Sequence, residues 1–168
     1  MRGHTLVWGA PGTHNPSFIV NEKDPTKLEN FMNEYIETVM TKVTYPIVWD
    51  VINEAVANGG SQIIKDSPWS IVDDYICKAF KAAHKANPKA HLFYNDYKHA
   101  SMTGRYKQKS DRVFNLVKDL KDRGCPVHGV GFQSHVDINY GDEHYKSIHK
   151  NIQRYEAIGI KVHFTEVD

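Results

Sequence analysis

The sequence predicts an α/β fold, an incomplete (β/α)8 (TIM) barrel, on three observations. Short apolar runs alternate with amphipathic stretches along the whole chain. From the second run onward they start roughly 35 to 45 positions apart, close to the length of one βα unit. Each later run ends in a polar cluster: Asn53-Glu54, Asn95-Asp96-Tyr97, Gln133-Ser134-His135 and Thr165-Glu166-Val167-Asp168. In a βα-barrel the carboxyl ends of the strands converge on one face, where active sites are built. A doubly wound sheet loads only the strand ends around one crevice, so loaded ends on every later strand favour the barrel.

Five runs read as strands: Thr5 to Trp8, Ile47 to Ile52, His91 to Tyr94, Val127 to Phe132 and Lys161 to Phe164. The first helix is expected from Asp24 to Met40. Asp24 suits the cap and Pro25 the first helical position, with Leu28, Phe31, Met32, Tyr35, Ile36, Val39 and Met40 on one face. A second face comprises Val72, Tyr75, Ile76, Ala79, Phe80 and Ala83 and ends near Asn87-Pro88. A third runs through Val113, Leu116, Val117 and Leu120 to Gly124. The fourth runs through Tyr145, Ile148, Ile152, Tyr155 and Ile158 to Gly159. Strands alternating with helices imply a parallel sheet with right-handed crossovers. A whole barrel takes about 250 residues and eight strands. The 168 residues are therefore expected to form one partial domain, residues 1–168, with no linker or second domain.

With 40% apolar and 24% charged residues, the chain is ordinary globular material. A net charge of +1 gives no polyanion-binding signal, which argues against a nucleic-acid partner. The one dense basic stretch, Lys98 to Lys109, reads as a solvated loop and helix start. No run approaches the roughly 18 apolar residues of a membrane span, so no membrane partner is expected. Arg2-Gly3-His4 directly after Met1 reads as no secretory leader. Cys77 and Cys125 fit neither a zinc spacing nor a disulfide framework and are taken as two unrelated buried thiols.

Glycoside hydrolysis needs two carboxyl groups across the scissile bond, one holding a proton and the other ionised. Glu54 and Glu166 lie three βα units apart, which in an eight-stranded barrel sets them nearly across from one another. Asn53 is placed to hydrogen-bond a sugar hydroxyl, and His135 and Asp168 to form a chain that orients Glu166. Trp49 and Asp50 are assigned to packing and a structural hydrogen bond, and Trp69 to a packing anchor. Tyr94 and Tyr97 suit either stacking on sugars or filling the barrel mouth. His84, His91, His128, His144, His149 and His163 show no ligand spacing and are taken as surface or packing residues.

Five stretches in series closely resemble family 10 glycoside hydrolases, the retaining endo-1,4-beta-xylanases. They are Arg2-Gly3-His4-Thr5-Leu6-Val7-Trp8, Trp49-Asp50-Val51-Ile52-Asn53-Glu54-Ala55, Phe93-Tyr94-Asn95-Asp96-Tyr97, Gly129-Val130-Gly131-Phe132-Gln133-Ser134-His135 and Phe164-Thr165-Glu166-Val167-Asp168. The resemblance implies a (β/α)8 barrel of which this chain spans strands three to seven. It makes Glu54 the acid/base and Glu166 the nucleophile. It puts Asn53, His4, Trp8, Gln133, His135 and Tyr97 in or near the cleft as substrate contacts, with Asp168 and Asn95 in support. It implies xylan or beta-1,4-xylooligosaccharides as the partner, no cofactor, no metal, a monomer, and secretion, since the polymer cannot enter a cell. Two departures stand out. Gly9 occupies the place of a substrate-binding His, and Asn15-Pro16-Ser17-Phe18 stands where a Trp is usual.

Two other readings compete. A metal-dependent barrel hydrolase or aldolase would use His135, Glu166 and Asp168 as ligands, although no His-x-His or acidic pair accompanies them. Alternatively the chain is an inactive remnant, because five strands of a closed barrel leave exposed edges. Alone, it is expected to release little or no sugar from xylan.

Overall fold

A computed structural model describes residues 1–60, 62–135 and 141–168. Its frame is one parallel sheet flanked by helices. Strands β1 (Arg2–Gly3) and β2 (Val7–Trp8) both run along β3 (Val48–Asn53), followed by β4 (His91–Asp96), β5 (Gly129–Phe132) and β6 (Lys161–Phe164). β1 and β2 are two pieces of one interrupted strand position, since Gly3 pairs with Trp49 and Val7 with Ile52. The His4–Thr5 peptide between them is cis. Every strand pairing among the described residues is parallel, and β3 to β6 pair in chain order, so the chain forms a half-barrel of the (β/α)8 type.

Helices α1 (Ser17–Asn21) and α2 (Pro25–Lys42) follow β2; α3 (Tyr75–Ala86), α4 (Lys107–Asp122) and α5 (Asp142–Glu156) follow β3, β4 and β5 in turn. Asp24 caps α2, its carboxylate accepting the Thr26 and Lys27 amides, which would otherwise be orphaned. Beyond α4 and α5, Gly124 (φ 74) and Gly159 (φ 68) take up the left-handed turn that stops each helix. α1 has too little periodicity to be read from sequence.

The core lies between sheet and helices, where Leu28, Met32, Ile36 and Met40 of α2, Phe80 of α3, and Val113, Val117 and Leu120 of α4 are fully or almost fully buried. The α2 face is narrower than its sequence pattern suggests. Phe31 and Tyr35 are 38% and 52% exposed, lining a groove with Trp8, His14 and Phe18 instead of entering the core. On α5, Tyr145 is likewise exposed.

Two expectations are corrected. Cys77 and Cys125 are not separate thiols: they form a disulfide with Cα atoms 5.5 Å apart, joining α3 to the turn after α4. Successive βα units lie side by side, so residues 48 apart in sequence become neighbours, and sequence spacing conceals the pairing. Nor is the Lys98 to Lys109 stretch wholly solvated. Lys98 is exposed, but Lys109 is only 3% exposed and paired with the buried Asp96. Helical rotation turns this lysine toward the sheet and Lys107 toward solvent. Among the described residues no helix is long and apolar enough to cross a membrane.

Candidate active site

The carboxyl ends of β2 to β6 bring together every polar cluster singled out in the sequence. Register explains how. Asn53 of β3 pairs with Asn95 of β4, which pairs with Gly131 of β5, so the two amides stand side by side on one face of the sheet. A Cβ on Gly131 would collide with the Asn95 amide oxygen and the Thr165 methyl, so only glycine leaves the space they occupy.

A continuous amide chain links the two glutamates. Gln133 Nε2 donates to Glu54 Oε1 (2.8 Å) and to Asn53 Oδ1 (3.2 Å). Asn95 Nδ2 donates to the same Asn53 oxygen (3.0 Å) and to Glu166 Oε1 (2.8 Å). Thr165 Oγ1 donates to Asn95 Oδ1 at 2.7 Å, which fixes the orientation of that amide. The second Glu54 oxygen accepts the Trp8 indole N–H at 3.1 Å. Glu54 itself has φ 56, left-handed backbone that is uncommon outside glycine and that turns the chain sharply at the strand end.

Around Glu166 the polar groups are more exposed. His135 places Nδ1 2.8 Å from Asp168 Oδ1, and Nε2 3.2 Å from Gln133 Oε1 and 3.5 Å from Glu166 Oε2. The Asp168 side chain is 73% exposed and that of Glu166 34%. Among the described residues no group of three or more His, Cys, Asp or Glu is arranged to hold a metal ion.

Beneath this layer His4 Nδ1 sits 3.1 Å from Asp50 Oδ2, and Arg2 pairs with the other Asp50 oxygen. Arg2 also reaches His163 Nδ1 (2.7 Å) and lies over the Phe93 ring. The hydrogen bond to Asp50 raises the His4 pKa above its ordinary value; burial opposes this, and the charges of Asp50, Glu166 and Glu54 add to it. Asp50 thus makes the structural hydrogen bonds expected of it, while Trp49 is buried against Gly3.

Tyr94 and Tyr97 separate. Tyr94 points to the helix side of β4, opposite Asn95, and is fully buried. It has no route to a sugar. Its hydroxyl donates to Asp96 Oδ2 at 2.5 Å and accepts the Ala55 and Val56 amides at 3.1 and 3.0 Å. Burial, reinforced by the Asp96 charge, pushes the phenol well above its ordinary pKa, so it remains a donor. Tyr97 stays partly exposed at the rim, its hydroxyl accepting from Asn58 Nδ2 at 2.8 Å.

The departures have structural counterparts. Gly9 donates its N–H to Asn53 O at 2.7 Å, and a Cβ there would come within 2.6 Å of the Ala55 Cα. Position 9 therefore has no room for a side chain. His14, which nothing in the sequence singled out, lies flat on Trp8 with ring centroids 4.5 Å apart. Asn15 holds the intervening loop, donating to the Trp8 and Ala10 carbonyls and accepting from Trp69 Nε1 at 2.9 Å. Trp69 is thereby the packing anchor it was expected to be. Lys109 and Asn58 were also missed, because neither lies at a strand end.

The family model for glycosyl hydrolase family 10 matches residues 1–168. An endo-1,4-beta-xylanase of Geobacillus stearothermophilus is 39% identical over all of this chain and half of its own length. Endo-1,4-beta-xylanase B of Thermotoga neapolitana is 35% identical, with 46% of its length covered. Among solved structures, xylanase 10B of Thermotoga petrophila in complex with xylobiose superposes with a TM-score of 0.85 at 36% identity, over 99% of this chain and 49% of that one. The chain spans about half the length of these two xylanases. By the whole-chain match and the half-barrel it folds into, this chain belongs to glycosyl hydrolase family 10.

Proposed function

We propose that residues 1–168 are part of the catalytic domain of a retaining endo-1,4-beta-xylanase that cleaves internal bonds of xylan. The observation that carries this reading is the amide chain Gln133–Asn53–Asn95, which ties Glu54 and Glu166 to one another across the strand ends. The substrate class rests on the relatives, which are named endo-1,4-beta-xylanases, and on the xylobiose held by one of them.

In this mechanism Glu166 attacks the anomeric carbon while Glu54 gives its proton to the departing glycosidic oxygen. The product is a covalent glycosyl ester on Glu166. Glu54, now a carboxylate, takes a proton from water, whose oxygen displaces Glu166 and restores both groups. Trp8 and Gln133 occupy both Glu54 oxygens and so hold its carboxyl plane. Asn95 steers Glu166, and the Asp168–His135 pair stands behind its other oxygen. His4, Trp8, Asn53, Gln133, His135 and Tyr97 serve as contacts to xylooligosaccharide. No step calls for a cofactor or a metal.

The enzyme acts as a secreted monomer in this reading. A polymeric substrate favours secretion, and so does the Cys77–Cys125 disulfide, which persists in oxidising compartments. The 168 residues alone leave β6 with a single strand neighbour among the described residues, and are not expected to turn over xylan unaided. The test is stereochemical. Proton NMR of the full-length protein acting on a xylooligosaccharide should show the β-anomer of the new reducing end first. First appearance of the α-anomer would mean single displacement and overturn Glu166 as nucleophile.

A further inference from the structure

Glu54 sits at a point where the backbone leaves the sheet. With φ 56 at Glu54, the Ala55 and Val56 amides turn away from the strand ladder and point behind the sheet, to the Tyr94 hydroxyl. Two buried amides without partners would each cost about 1–3 kcal/mol. Both are taken by the Tyr94 hydroxyl, whose own hydrogen goes to Asp96. That oxygen therefore uses its one hydrogen and both lone pairs.

Asp96 is fully buried, and its carboxylate needs a counter-charge. Lys109 of α4 supplies it, with Nζ 2.7 Å from Asp96 Oδ1. The same ammonium donates to Asn58 Oδ1 at 3.1 Å and sits 3.5 Å from the centroid of the Tyr97 ring. Three hydrogens thus meet three partners, and Asn58 closes the circuit by donating to the Tyr97 hydroxyl. The Tyr97 amide also donates to Asp96 Oδ1 at 2.8 Å.

We propose that Lys109 is a positioning residue. Through Asp96 and Tyr94 it holds the backbone that carries Glu54, and through its ammonium and Asn58 it holds Tyr97 at the rim. The inference rests on the reading of Glu54 as the acid/base. Lys109 does not touch the substrate. It sits on the helix side of the sheet and makes one rigid body of the turn after β3 and the turn after β4.

Lys109→Met and Tyr94→Phe in the full-length protein test this with two readouts. Hydrogen exchange at the Ala55 and Val56 amides should quicken by about tenfold or more in both variants, with the β5 amides unchanged. Unchanged exchange at Ala55 and Val56 overturns the proposal. In kcat/KM, the loss on xylooligosaccharide should exceed the loss on a dinitrophenyl xylobioside by about tenfold, because only the former needs a proton from Glu54. Equal losses on the two substrates also overturn it, since they would mark general damage. If Lys109→Met does not fold, Lys109→Met/Asp96→Asn leaves no buried charge unpaired and takes its place with the same readouts. An unaltered protein that cleaves neither substrate sinks the glycosidase reading, while the exchange measurement still decides the positioning role.

Discussion

The surroundings of Glu54 and Glu166 differ as an interior differs from an edge. Glu54 follows β3, which has strands on both sides, and both its carboxyl oxygens and the two amides after it have partners within this chain. Glu166 follows β6, whose only strand neighbour among the described residues is β5 and whose last apolar residue, Phe164, is 52% exposed. Its carboxylate keeps Asn95 at hydrogen-bond distance and His135 at the looser distance of 3.5 Å. The acid/base half of the proposed mechanism is thus complete in these residues. The nucleophile half is anchored on one flank only.

The largest expected effect breaks the two halves apart chemically. Glu166→Ala in the full-length protein should abolish turnover of every substrate, a loss beyond the ~10²–10⁴-fold that proton transfer supplies. Glu54→Ala should lose about that much on xylan while sparing kcat/KM for substrates with good leaving groups. If the two variants were equally dead on an activated aryl glycoside, the division of roles between the glutamates would be wrong.

A smaller effect separates the chemistry from the frame beneath it. Cys77→Ala/Cys125→Ala should cost about 2–4 kcal/mol of stability, for the 48-residue separation the bridge closes. The ratio of activities on the two substrate types should stay as it is. Thermal unfolding with and without reductant measures the first, and an unchanged melting temperature would mean the bridge contributes nothing.

The smallest effect concerns His4. Its pKa is raised in the fold, so the stability it adds is fully present below the ordinary value of 6.5 and is lost as pH rises through the raised one. The His4 side chain is 40% exposed, and screening leaves well under about 1 kcal/mol. The stability gap between the parent and His4→Gln should narrow on going from acid to alkaline pH. A gap that widened would contradict the His4–Asp50 hydrogen bond as its source.

The parts legible in the sequence share one property: their signal lies in a few consecutive residues. Strand runs, the Asp24-Pro25 cap and the polar clusters after β3 to β6 are of this kind. What escaped depends on neighbours in space. Lys109 looks like any lysine in a basic helix until Asp96 is set behind it, and Cys77 and Cys125 look unrelated until α3 and α4 lie side by side. Phe31 and Tyr35 fit a helical stripe, yet the stripe is wider than the face that this half-barrel covers. Tyr94 and Tyr97, three residues apart, had the same two readings open to them. The pleat of β4 sends the first behind the sheet, while the second lies past the strand end at the rim.

The Asn53 oxygen, shared by Asn95 and Gln133, also gives the layer between the two glutamates a polarity. With two N–H groups converging on Oδ1, the amide cannot flip without setting donors against donors. Its NH2 group is therefore the end turned away from both. If Asn53 contacts the sugar as proposed, it presents a donor of fixed sense, and the sugar must offer a lone pair. Asn53→Asp would replace that donor with a second acceptor and add a negative charge between the two glutamates, so that only a donor could bind there.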